Sequence, residues 1–219
     1  MNLTIAIDGP AGAGKSTVAK LIASKMGISY LDTGAMYRAV ALRVSRAGID
    51  LHDAAAIAQE AEKANIEFGP GDPQRVILDG EDVTDQIRSL EIGELASAIS
   101  AFGPVRKVLV AQQKHIIETA DTVLEGRDAT TVIAPEAEVK IYLTASLEER
   151  AKRRYQEVAD KAQYGEVRRA LQDRDHRDIT RDDSPLLVAP GAEVIESGGL
   201  TPNEIAERII EMARRFQTN

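Results

Sequence analysis

Short runs of β-favouring apolar residues alternate along this chain with stretches whose apolar positions recur every three or four residues. The runs lie at residues 3–7, 28–31, 122–124, 139–143 and 193–195. The three-to-four spacing predicts helices over about 17–26, 34–47, 104–119, 146–161, 164–181 and 202–216. Strands that alternate with helices imply a parallel sheet covered on both faces, here with five strands. One region breaks the rhythm. Asn65-Ile-Glu-Phe-Gly-Pro-Gly-Asp-Pro-Gln-Arg-Val-Ile-Leu-Asp-Gly-Glu-Asp-Val-Thr84 holds short alternating runs separated by Gly-Pro-Gly and Asp-Gly. Asp79-Gly80 is a hairpin turn by composition, because both residues accept positive φ. An Ala-rich helix over about 53–63 precedes this region and another over about 92–102 follows it. The expected organisation is a core of 1–61 and 101–219 with a small antiparallel insert at 62–100.

With 219 residues the chain can bury one substantial core carrying small inserted modules. It has no cysteine, which excludes disulfides, Cys-ligated zinc and a thiol nucleophile. No apolar run approaches the roughly 20 residues that span a bilayer. The first strand begins almost at once, so no signal peptide is expected and a cytoplasmic location is. The net charge of −8 argues against a nucleic-acid partner. Nothing in the pattern points to an obligate interface, so a monomer is expected. Against the acidic balance, Arg150, Arg153, Arg154, Arg168, Arg169, Arg174, Arg177 and Arg181 crowd one stretch. Interleaved acids, Glu148, Glu149, Glu157, Glu166, Asp173, Asp175 and Asp178 among them, suit solvated helix faces with local ion pairs. Arginine in such density also suits phosphate recognition.

What favours phosphate is Gly9-Pro-Ala-Gly-Ala-Gly-Lys-Ser16, which fits G-x-x-x-x-G-K-[ST] between a predicted strand and a predicted helix. Glycines let backbone N–H groups turn inward around a di- or triphosphate, and the following helix adds its positive dipole end. Gly9, Pro10, Ala11, Gly12, Ala13, Gly14, Lys15, Ser16 and Thr17 are the expected nucleotide-binding residues. Lys15 reaches for the β/γ-phosphates of ATP, and the Ser16 hydroxyl is the expected Mg²⁺ ligand. Asp32-Thr-Gly-Ala-Met-Tyr-Arg38 follows the second strand and opens a helix, where ligands collect in open α/β sheets. Arg38 there can meet an anion, although Asp32 and Thr33 also suit an ordinary helix cap. Val123-Leu-Glu-Gly-Arg-Asp128 places Arg127 and Asp128 at a strand end, with Glu125 able to approach the metal through water. There is no Asn-Lys-x-Asp to read guanine, no zinc deaminase signature, and no metal-ligand spacing among His52, His115 and His176.

Together with Val139-Lys-Ile-Tyr-Leu-Thr-Ala-Ser-Leu-Glu-Glu-Arg-Ala-Lys-Arg-Arg154 and Arg174-Asp-His-Arg-Asp-Ile-Thr-Arg181, these blocks resemble the bacterial cytidylate kinases from about residue 3 to 213. The P-loop is generic, whereas the D-[ST]-G-A-M-Y-R and G-R-D blocks are specific to that family. The resemblance implies a nucleoside monophosphate kinase with a P-loop NTP hydrolase core, a nucleotide-binding insert and a helical lid at about 148–170. It implies transfer of the γ-phosphoryl of ATP to CMP or dCMP. It places Thr33, Ser97, Arg106, Asp128 and Arg181 at the cytosine, Arg38 and Arg127 at the acceptor phosphate, and Arg174 and Asp178 near the ribose. Arg150, Arg153 and Arg154 fall where the lid begins, over the ATP phosphates, so that Lys15, Arg127, Arg150 and Arg154 are the implied catalytic set. Three positions depart from the family pattern. Thr130 stands in place of a glycine and is expected to alter the local backbone; Gly191-Ala192-Glu193 replaces Asp-Ala-[IVL]; and Glu196 replaces an Asp. Another acceptor, such as UMP, AMP or a non-nucleotide acid, is the nearest alternative; a nucleotide switch or nucleic-acid-binding ATPase is a more distant one.

Overall fold

The computed structural model describes residues 2–71, 73–158 and 163–217. In chain order the elements are β1 (Thr4–Asp8), α1 (Lys15–Met26), β2 (Ser29–Asp32), α2 (Thr33–Ala47), α3 (Ala54–Lys63), β3 (Ile66–Gly69), β4 (Arg75–Leu78) and β5 (Glu81–Asp82). After a short 3₁₀ turn come α4 (Leu90–Ile99), α5 (Gly103–Ile117), β6 (Thr122–Gly126), β7 (Val139–Thr144), α6 (Leu147–Val158), α7 (Tyr164–Thr180), β8 (Glu193–Glu196) and α8 (Pro202–Gln217). The expected α/β class and five-stranded parallel sheet are present, in the order β2-β6-β1-β7-β8. β1 lies between β6 and β7, with Asp8 level with Gly126 on one side and Tyr142 on the other. The expected helix over 146–161 is described as far as Val158; residues 159–161 of that helix, and 159–162 of the expected lid, lie outside the described residues.

The chain forms two compact units. One runs to Leu31 and resumes at Ile116; the other is residues 32–115. In the first, Ile5, Ile7, Val123, Ile141, Leu143 and Ile195 from the strands pack with Val18 and Ile22 of α1 and Ile205, Ile209 and Ile210 of α8. Each such side chain contributes about 1.5–3 kcal/mol on burial, so this layer fixes where the strands end. The ends matter because the strands run past their apolar stretches into polar residues. Asp8, Asp32, Glu125 and Thr144 all lie within strands. Ladder pairing uses backbone groups and does not require apolar side chains.

In the second unit α2 packs against α3, α4 and β4. The Asp32 carboxylate caps α2 by accepting from the Ala35 N–H at 2.8 Å. The insert is a three-stranded antiparallel sheet in the order β3-β4-β5, with Ile66 opposite Leu78 and Phe68 opposite Val76. The turn between β4 and β5 falls on Asp79 and Gly80, both at positive φ (52° and 86°), as the Asp-Gly pair predicts. Among the described residues no helix is long and apolar enough to cross a membrane.

Candidate active site

In the first unit the glycine loop connects β1 to α1. Gly9 has φ of 148°, and a Cβ there would sit 1.9 Å from the Leu143 carbonyl oxygen, so only glycine lets β1 leave the sheet beside β7. Gly12 and Gly14 are also at positive φ. Lys15 is buried, and its Nζ donates to the carbonyls of Gly9 and Pro10, each at 2.9 Å. Burial, then the neighbouring Arg127 guanidinium, lowers the Lys15 pKa to about 7. Ser16 Oγ donates to Glu125 Oε1 at 2.7 Å, and the Tyr30 hydroxyl lies 3.4 Å from the same oxygen. Thr17 is exposed in the first turn of α1.

Behind the loop, the Asp8 carboxylate is fully buried. It accepts from the N–H groups of Ala129 and Thr130 at 2.9 and 2.7 Å and from Thr130 Oγ1 at 2.5 Å. Burial outweighs these donors and raises the Asp8 pKa to about 6. Residues 129–133 form a π-helical turn in which the Ile133 and Ala134 N–H groups reach the Asp128 and Ala129 carbonyls. Thr130 does not have positive φ. Its hydroxyl is absorbed by Asp8 and the turn does not need a glycine.

The same unit gathers a charged cluster after β6. Arg127 Nε donates to Asp178 Oδ2 at 2.8 Å, and Arg174 Nε lies 3.9 Å from that oxygen. Arg181 Nη2 is 4.0 Å from Asp128 Oδ1, with both side chains buried. Burial alone would raise the Asp178 pKa, but Arg127 and Arg174 hold it below the usual carboxylate range. α6 supplies three arginines with different surroundings. Arg150 is buried and donates to the carbonyls of Ala145 and Ala11, each at 3.0 Å, and to Asp175 Oδ2 at 2.6 Å. Arg153 donates to Ser197 Oγ and the Ser197 carbonyl, both at 3.0 Å, while Ser197 Oγ donates to the Ala13 carbonyl at 3.2 Å. Arg154 points outward to Glu157 at 2.8 Å, in a pair whose side chains are 41% and 63% exposed.

The second unit holds the remaining predicted residues. Arg38 Nη2 donates to Asp32 Oδ2 at 2.8 Å. Thr33 is buried at the start of α2. Arg106 is buried, donates to the Ser100 carbonyl at 3.1 Å, and stacks its guanidinium 5.8 Å from the centre of the Tyr37 ring. The Ser97 hydroxyl is buried with no protein hydrogen-bond partner among the described residues.

Three groups outside the predicted site residues stand at or against the P-loop: Asp8, Asp175 and Ser197. Asp8 had a usable signal, a carboxylate at the last strand position before the glycine loop. Asp175 had another, its place three residues before Asp178 on one helix face. Ser197 had none.

The cytidylate kinase family model matches residues 5–215. Over 220 residues the chain is 47% identical to the cytidylate kinase of Caldanaerobacter subterraneus subsp. tengcongensis, covering 98% of this chain and 97% of that one. It is 46% identical over 222 residues to that of Solibacter usitatus, covering 99% and 94%. Among solved structures, shikimate kinase from Acinetobacter baumannii in complex with shikimate superposes with a TM-score of 0.50 at 18% identity, covering 100% of this chain and 97% of that one, which shows a shared fold. With a match that spans nearly its whole length, the chain belongs to the cytidylate kinase family.

Proposed function

We propose that this protein transfers the γ-phosphoryl group of ATP to CMP or dCMP, giving ADP and CDP or dCDP. One observation carries the reading most directly. Lys15 is buried close to Arg127 and Arg174, and burial, then these guanidiniums, lowers its pKa to about 7. Crowded cations are unfavourable in a free protein and become favourable around a polyanion. Lys15 leaves the Gly9 and Pro10 carbonyls for the donor phosphates. The residues assigned to the acceptor phosphate are Arg127, which Asp178 orients, in the first unit and Arg38 in the second. Arg154 also turns to the donor phosphates, because an exposed ion pair such as its contact with Glu157 is worth about 1 kcal/mol or less and is readily exchanged. Thr33, Ser97, Arg106, Asp128 and Arg181 read the cytosine, and Arg174 and Asp178 attend the ribose.

The protein groups fit Mg²⁺. Ser16 Oγ and Glu125 Oε1 are hard oxygen atoms 2.7 Å apart beside the loop, and a nucleotide-borne Mg²⁺ needs only one or two protein oxygens, directly or through water. When bound, the ion neutralises phosphate charge during transfer. The acceptor phosphate oxygen is already nucleophilic at neutral pH, so the residues act by placing two anions in line and stabilising the charge as it moves. The lid over about 148–170 excludes water, which would otherwise accept the phosphoryl group. We assign the protein to the cytoplasm as a monomer without a nucleic-acid partner.

A coupled ADP-release assay across CMP, dCMP, UMP, AMP and a non-nucleotide acid tests the reading. Turnover with CMP and dCMP well above the others is expected. Preference for another acceptor, or ATP hydrolysis stimulated by nucleic acid with no monophosphate phosphorylated, overturns it.

A further inference from the structure

Asp175 uses both carboxylate oxygens on the donor side of the site. Oδ1 accepts from the Ala11 N–H at 3.2 Å, and Oδ2 accepts from Arg150 Nη1 at 2.6 Å. The same Nη1 donates to the Ala11 carbonyl at 3.0 Å, and Arg150 Nε is anchored on the Ala145 carbonyl. One ion pair therefore holds both polar groups of a single P-loop residue, the N–H through the carboxylate and the C=O through the guanidinium. The pair is poorly solvated, with side chains 8% and 13% exposed, so its hydrogen bonds are stronger than surface ones. Ala11 also packs with Ala151 of α6 and Val167 and Leu171 of α7. Three residues further along α7, Asp178 holds Arg127.

We propose that Asp175 is a positioning residue for the phosphoryl-donor loop: with Arg150 it fixes the Ala11 peptide, and α7 thereby ties that loop to Arg127. The link to Arg127 as an acceptor residue rests on the function proposed above; the hold on the loop does not. The chemistry makes the idea discriminating. A carboxylate beside a polyanion site repels the ligand, so if charge alone mattered its removal would tighten nucleotide binding. A positioning role requires the opposite, because an amide in place of Asp175 presents only one acceptor oxygen to two donors.

The test is calorimetric binding of the non-hydrolysable ATP analogue AMP-PNP with Mg²⁺, and separately of CMP, to the full chain carrying Asp175→Asn. AMP-PNP binding is expected to weaken by about tenfold to a hundredfold, the scale of a lost charge-assisted hydrogen bond. CMP binding without donor is expected to weaken far less, by no more than about threefold, because Asp178 and its hold on Arg127 are left in place. Unchanged or tighter AMP-PNP binding overturns the proposal, as does an equal loss for both ligands accompanied by a lower Tm. Should Asp175→Asn not fold, Asp175→Glu keeps the charge and both acceptor oxygens but moves them by one methylene from Ala11 and Arg150, and the same split is expected of it. Loss of folding in both variants would make the pair a stability element and overturn the proposal. Wild-type protein that binds AMP-PNP yet phosphorylates no monophosphate would refute the proposed function while leaving the comparison of AMP-PNP affinities intact.

Discussion

Asp8 ends β1 with its carboxylate fully buried and three donors aimed at it. Those donors favour the charged form, yet burial dominates and the pKa stands at about 6 against 3.8 for an unperturbed group. The folded protein therefore holds this proton more tightly than the unfolded chain. The resulting stabilisation is complete below pH 3.8 and is lost as pH rises through about 6. A gap of about two units corresponds to about 3 kcal/mol. Asp8→Asn removes this titration, so wild type is expected to lose about 3 kcal/mol relative to the variant between about pH 4 and pH 7. Urea denaturation of both proteins across that range checks it; a constant difference would show that Asp8 does not titrate there. Thr130 belongs to the same argument. The family pattern reads it as a departure from glycine, and that pattern alone gives no hint that the hydroxyl would find a buried carboxylate 122 positions away.

At the scale of elements, the five strands and the helices around them were legible because apolar β-formers and three-to-four spacing report which side of an element is covered. Strand ends were less legible. Asp8, Asp32 and Glu125 look like loop residues by polarity, yet each lies within a strand. α7 shows the other limit. Its buried apolar residues are Val167 and Leu171, too few to say which acids face inward. Interleaved acids and arginines read as solvated faces, which holds for Arg168 with Glu148 and for Arg154 with Glu157. It fails for Asp178, which is buried, and for Asp175, which is nearly so. The glycine loop is the element most tightly specified by its neighbours. A methyl group at Gly9 would meet the Leu143 carbonyl at 1.9 Å, on a backbone with φ of 148°. Because that oxygen belongs to β7 rather than to a mobile side chain, Gly9→Ala must displace the loop or part the strands. The expected result is loss of AMP-PNP binding, with a fall in Tm of several degrees if the strands yield, since each kcal/mol lowers Tm by about 2–4 °C in a chain of this size. Thermal melts with and without AMP-PNP measure both; a variant that still gains stability from the nucleotide would show that the loop tolerates the methyl group.

For the whole molecule, the sequence placed the two substrates' groups far apart along the chain, and each compact unit holds its own share of them. The donor residues 9–17 lie in the first unit. The proposed acceptor residues divide, with Arg127, Asp128, Arg174, Asp178 and Arg181 in the first unit and Thr33, Arg38, Ser97 and Arg106 in the second. Hydrogen exchange follows from this division, because a ligand slows opening of the segments it contacts by mass action, by about 2.7 kcal/mol at a hundredfold excess over Kd. AMP-PNP with Mg²⁺ is expected to protect amides of the glycine loop and the start of α1 and to leave α4 unchanged. CMP is expected to protect three stretches: the first turns of α2 and the end of α4 with the start of α5 in the second unit, and the turn after β6 in the first. Protection by CMP confined to the first unit would remove Thr33, Arg38, Ser97 and Arg106 from the acceptor site, and the specificity for cytosine would then rest on Asp128 and Arg181 alone.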